Sequence, residues 1–149
     1  MNTRIFLFLS FFYSLIQAET YYVPEDFDTI QDAIVAANNS DSIIVNPGFY
    51  PEQINFLGKA ITVTSRYLID NDSLIVGTTI IDAQEEGSVV TFSSGETFES
   101  TLQGFTLQNG TGNNEDPDGN GSYYPYGGGV YCENSSPTIK GCIIQGNIA

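Results

Sequence analysis

The stretch "NNEDPDGNGSYYPYGGG", Asn113 to Gly129, concentrates the side chains best suited to chemistry. Asp116, Asp118 and Asn120 alternate, and Gly121 follows. That is the opening of a calcium loop, in which alternate oxygens converge on a hard cation and the glycine permits a sharp turn. Ca²⁺ is therefore the cofactor these residues suggest. Gly127 stands where the closing bidentate glutamate of such a loop would be, which departs from the full pattern. The same stretch holds Tyr123, Tyr124 and Tyr126. Exposed tyrosines stack on sugar rings, offering an apolar face and a polar tip. The plainer alternative is a polar insertion whose tyrosines cover its own base.

Other titratable residues form weaker sets. The chain has no histidine, so the commonest general base and zinc ligand are both missing. In "GFYPEQI", Gly48 reads as a turn, Tyr50 as a packed ring and Glu52 as a solvent-facing acid. Arg66 lies near Asp70 and Asp72 in "TSRYLIDNDS". A cation beside two acids is what Ca²⁺-assisted β-elimination would use, although a solvated turn accounts for the same residues. Cys132 and Cys142 sit in the apolar runs "VYC" and "GCII", which favours buried thiols and leaves a disulfide open. No catalytic residue is assigned. Asn38, Asn71, Asn109, Asn120 and Asn134 each begin an N-x-S/T sequon, a glycan acceptor in a eukaryotic host.

The elements that must position these residues start with a leader. In "MNTRIFLFLSFFYSLIQA", Arg4 precedes an apolar run from Ile5 to Tyr13, and Ala18 ends the stretch. That order predicts a secretory signal peptide over 1–18, too short to span a bilayer comfortably. All 18 acids follow it, against Lys59, Arg66 and Lys140, and the whole chain carries a net charge of −14. Scattered cations in an acidic chain exclude nucleic acid as a partner. They also disfavour anionic membrane surfaces once the leader is removed. Solubility, divalent cations and neutral glycans suit such a surface.

Residues 19–42 predict a cap built on one amphipathic helix. Ile30, Ala33, Ile34 and Ala37 make a single apolar stripe, with Asp28 as N-cap and Gln31 at capping-box spacing. Residues 43–149 read as short strands separated by Gly, Asn, Ser and Asp, with a polar loop insertion over 111–127. A sandwich of hairpins and a parallel β-helix compete for this pattern. Hairpin signals are scarce, corners such as Ser-Ser-Pro are common, and a lone leading helix suits a plug on an open stack. Coils of roughly 20 to 25 residues are expected.

The segment "VPEDFDTIQDAIVAANNSDSIIVNPGFYPEQINFLGKAITVTS" resembles the opening of secreted right-handed parallel β-helix proteins with the pectin-lyase-like fold. "GFTLQNG" and "GGGVYCENSSPTIKGCIIQGN" resemble their later coils. The resemblance implies an all-β chain: a right-handed parallel β-helix with an N-terminal amphipathic cap helix. About three coils are counted, and the uncapped last coil is expected to mark a truncation, the chain being the N-terminal part of a longer protein. The Gly-x-Tyr-x-Glu pattern at Gly48, Tyr50 and Glu52 is similar to the start of pectin methylesterases, whose later catalytic motifs find no match here. The fold carries many activities, so function must come from the site.

Two functions follow as expectations. One is an exported scaffold without its own catalytic set, secreted or on the cell surface, that binds a polysaccharide or a cell-surface protein. The other is the N-terminal part of a polysaccharide lyase or pectinesterase-like enzyme whose active site lies beyond Ala149. A chain ending at an uncapped coil is also expected to pair with itself through the open C-terminal β-edge. In that last coil Val130, Cys132, Ile139, Cys142 and Ile144 are expected to be buried.

Overall fold

The computed structural model describes residues 17–70, 72–115, 121 and 124–148. A strand, β1 (Thr20–Val23), precedes the helix α1 (Ile30–Ala36). Short strands then recur in threes. The first rung is β2 (Ser42–Val45), β3 (Gly48–Tyr50) and β4 (Ile54–Asn55). Next comes β5 (Thr62–Ser65), followed by the helical turns α2 (Tyr67–Asp70) and α3 (Leu74–Thr78). The second rung is completed by β6 (Thr79–Asp82) and β7 (Val90–Phe92). The third has β8 (Thr101–Gln103) and β9 (Thr106–Gln108), a ribbon of β10 (Asn113–Glu115) and β11 (Tyr124–Tyr126), then β12 (Val130–Cys132). Two strands of a fourth follow, β13 (Thr138–Lys140) and β14 (Ile143–Gln145).

Corresponding strands of successive rungs pair in parallel. They build three sheets, ordered β1-β2-β5-β8-β13, β3-β6-β9-β14 and β4-β7-β12. Only the ribbon is antiparallel among the described strands. The chain is thus mostly parallel β-structure, compatible with a solenoid. In register, Ser42, Thr62, Thr101 and Thr138 form one column. The first rung, Ser42 to Thr62, fits the expected coil length. The second and third are much longer, because α2–α3 is inserted in one and the ribbon in the other.

Stacking, rather than strand length, makes the core. Three-residue strands are marginal alone, but each inward side chain sits on its counterpart in the rung before. Ile43, Val63 and Leu102 form one column, and Tyr50, Ile81 and Leu107 another, all buried. Phe56 and Phe92 touch with ring centroids 4.4 Å apart. The columns end in the last strands. Ile139 continues the first column at 38% exposure, and Ile144 the second at 53%. Among the described residues no strand stacks beyond β12, β13 and β14.

This corrects the burial expected at the C-terminal end. Val130 and Cys142 pack against the core, whereas Cys132, Ile139 and Ile144 point inward yet stay exposed. Both cysteines are free thiols, and burial raises the Cys142 pKa.

The α1 stripe of Ile30, Ala33, Ile34 and Ala37 is buried as expected. Its caps differ. Thr29, not Asp28, is the N-cap, its hydroxyl accepting the Asp32 N–H at 3.0 Å. Glu52 does not face solvent: its carboxylate accepts the N–H groups of Ile30 and Gln31 at 3.0 and 2.9 Å. Desolvation raises its pKa, against the lowering effect of those two bonds. Gln31 makes no capping box and instead exchanges two hydrogen bonds with the Asn55 backbone. At the other end Lys59 donates to the carbonyls of Ile34, Val35 and Ala37, each at 2.7 Å. An anion at the N-terminus and a cation at the C-terminus both complement the helix dipole, so the first rung clips the helix at both ends. The turns α2 and α3 also correct the expectation of strands and turns alone after the first helix.

Two glycines separate space from conformation. A Cβ on Gly110 would lie 1.9 Å from the Gly128 carbonyl oxygen, whereas one on Gly77, within α3, would meet nothing within 4 Å. Gly77→Ala is expected to stabilise the protein by about 0.5–1 kcal/mol through helix propensity. Gly110→Ala is expected to destabilise it by roughly 1–3 kcal/mol or more, by overpacking against backbone. Thermal melts of the two variants beside the parent check both signs.

Candidate functional site

The ribbon β10–β11 leaves the rung path between β9 and β12 and is fixed at its base. The N–H groups of Thr111 and Gly112 both donate to the Gly87 carbonyl, at 2.7 and 3.1 Å. The Thr111 hydroxyl accepts the Gly87 N–H at 3.0 Å. Asn113 accepts the Ser88 N–H at 3.2 Å and donates to the Thr91 hydroxyl at 3.4 Å. Gly112 has φ of 83°, and a Cβ there would come within 2.8 Å of the Tyr126 carbonyl oxygen. A glycine is required by both criteria.

Pairing sets Asn113 opposite Tyr126 and Glu115 opposite Tyr124. Strand alternation therefore puts Tyr124 and Tyr126 on one face of the ribbon, the face from which Asn113 reaches back to the rungs. They are 50% and 44% exposed. Beside the ribbon lies a polar cleft of about 730 Å³, lined by Glu85, Glu86, Thr111, Asn114 and Pro125 among others. Neither tyrosine lines this cleft, since Asn114 and Pro125 alternate with them along the ribbon. Two half-exposed aromatic rings on one face can still stack on a sugar ring.

Of the residues singled out from the sequence, Tyr124 and Tyr126 are brought together here. Asp116, Asp118, Asn120 and Tyr123 lie outside the described residues. Among the described residues no three His, Cys, Asp or Glu side chains gather in a metal-holding group. Arg66 pairs with Asp70 at 3.2 Å on the surface, and Asp72 accepts the Leu74 N–H at 2.9 Å. Those residues serve the α2–α3 turns. Of the sequons, Asn38 and Asn134 are exposed, while the Asn109 amide donates to Asp82.

The acids that sequence reasoning missed stand at the corners between strands. Glu96, 2% exposed, accepts N–H groups from Gly58 and Ser94 and the Ser135 hydroxyl, each at 2.8 Å. Those partners come from three successive turns of the chain. Burial pushes the Glu96 carboxyl up, but these bonds outweigh it and hold the pKa below the usual value. Asp82 accepts from Gln108, Asn109 and the Gln84 N–H at 2.8, 2.7 and 2.8 Å. Its pKa is lowered for the same reason, the bonds overcoming desolvation. A sequence signal existed for Asp82, since "TIIDA" and "TLQNG" end corresponding strands with polar residues. None existed for Glu96, isolated in "SSGET".

Comparison with family models, with curated proteins and with solved structures yields no match.

A carboxylate with a depressed folded pKa adds stability that is present above its unfolded pKa of about 3.9 and lost as pH falls through the folded value. Asp82→Asn, which turns an amide towards other donors, is expected to cost roughly 1–3 kcal/mol near pH 7. That gap should start to shrink as pH falls below about 3.9 and close as it passes through the lower folded value, where the parent's own carboxylate takes up a proton. Urea melts of both proteins across this range provide the check.

Proposed function

We propose that the protein is an exported right-handed parallel β-helix of the pectin-lyase-like class that binds neutral glycans, with no catalytic set of its own. The observation carrying this reading is the pair Tyr124 and Tyr126, both half-exposed on one face of a ribbon tied at its base to the rungs. Rigid scaffolds commonly present binding residues on such excursions. The net charge of −14 opposes binding of polyuronates and other anionic chains, which points to uncharged sugars. The coil order and parallel pairing support the β-helix part of the reading. The charged start and apolar middle of the first 18 residues support export.

The test uses the secreted full chain on a panel of neutral and acidic oligosaccharides, followed by calorimetry on the best ligand. Tyr124→Ala and Tyr126→Ala are each expected to weaken binding roughly five- to tenfold, the worth of one stacked ring. Affinity unchanged in both variants would remove the ribbon from the site. Release of unsaturated uronides from pectin or alginate would replace the scaffold reading with a lyase.

A further inference from the structure

Asp41 is 2% exposed, and among the described residues no cation partners it. Its Oδ1 accepts the backbone N–H of Glu19 at 2.8 Å, and its Oδ2 accepts that of Asn38 at 2.7 Å. A buried carboxylate facing only neutral donors is costly. Glu19, itself exposed, makes two further bonds to the fold. Its carbonyl accepts the Ser42 N–H at 2.9 Å, and its carboxylate accepts the Tyr21 hydroxyl at 2.6 Å. That bond, with desolvation and the nearby acids Glu19, Asp41 and Asp26, raises the Tyr21 pKa to about 12. Immediately before it, Gln17 and Ala18 are exposed and belong to no strand or helix. Among the described residues, Glu19 is therefore the first that these bonds tie to the fold, and it follows the small-residue end of the leader.

We propose that Asp41 is the built-in counter-ion for an α-ammonium group created at Glu19 when the leader is removed. The proposal rests on the export reading above. A signal peptidase adds water across the Ala18–Glu19 amide, leaving a carboxylate on Ala18 and a protonated amine on Glu19. The nitrogen that donated one neutral bond to Asp41 then carries a positive charge and three donors, and the contact becomes an ion pair with a stronger, charge-assisted bond. Cleavage thus supplies the cation the buried carboxylate lacks. The adjacent Glu19 carboxylate acts in the same direction. The cation nearby in the chain path, Lys59, is engaged by the carbonyls of Ile34, Val35 and Ala37.

The test expresses Met1–Ala149 with its own leader in a secreting host and measures the intact mass of the product. Timed acylation with an amine-reactive ester across a pH series follows, with peptide mapping of the Glu19 α-amine against the exposed Lys140 amine. The expected product starts at Glu19, and its α-amine titrates at least one unit above the ordinary value of about 7.7–8.0. It should therefore acylate about tenfold more slowly near pH 8 than the same amine in Asp41→Asn. If that variant does not fold, the parent's own titration midpoint decides. A product starting at Glu19 with an ordinary midpoint overturns the proposal and leaves export standing. A product starting elsewhere also overturns it, and a retained leader overturns the export reading as well.

Discussion

Parallel stacking of short strands leaves one problem unsolved at every corner. Within a sheet each N–H and C=O finds the rung above or below, but where the chain turns between sheets the ladder is interrupted. Buried backbone donors left there would each cost on the order of 1–3 kcal/mol. This chain answers with acids and amides that reach from one rung to the next. Glu96 joins Gly58, Ser94 and Ser135. Asp82 joins Gln84, Gln108 and Asn109, and Asn147 continues the line by accepting the Gly110 N–H and donating to the Leu107 carbonyl. Glu52 does the same for the helix. An acidic sequence is thus partly a structural requirement.

The same constraint separates the parts of the chain that can vary from those that cannot. Once the corners are held, segments between them may leave the rung path and return. The α2–α3 turns do so between β5 and β6, and the ribbon does so between β9 and β12. Such excursions tolerate exposed side chains, among them Leu68, Leu74, Tyr124 and Tyr126. The ribbon is the better candidate for recognition because its base carries several hydrogen bonds to the second rung, which hold its two tyrosines in place.

Much of the architecture was legible because it is local. The helix stripe shows at Ile30, Ala33, Ile34 and Ala37, and the strands show in β-branched runs such as "SIIV" and "AITVT". The short turns α2 and α3 were not legible, since Leu, Ile and Val in "YLIDNDSLIVGT" suit a strand as well as a helix. The corner acids were illegible for a different reason. Glu96 reaches partners 38 and 39 residues away, so no window of sequence contains the interaction. Asp41 carried no signal of its own in the sequence; its role shows only once the fold brings Glu19 beside it. Of the candidate site, the tyrosines were legible by type, whereas the shared face of Tyr124 and Tyr126 needed the pairing register.

The most direct measurement of the corner account is amide hydrogen exchange at Gly58 and Ser94 in the parent and in Glu96→Ala. Both N–H groups donate to Glu96, although they belong to different turns of the chain. The account predicts that both lose protection together, by about tenfold or more, while the amides of β5 keep theirs. Unchanged protection at Gly58 would mean that something other than the carboxylate satisfies the corner, and would contradict the account.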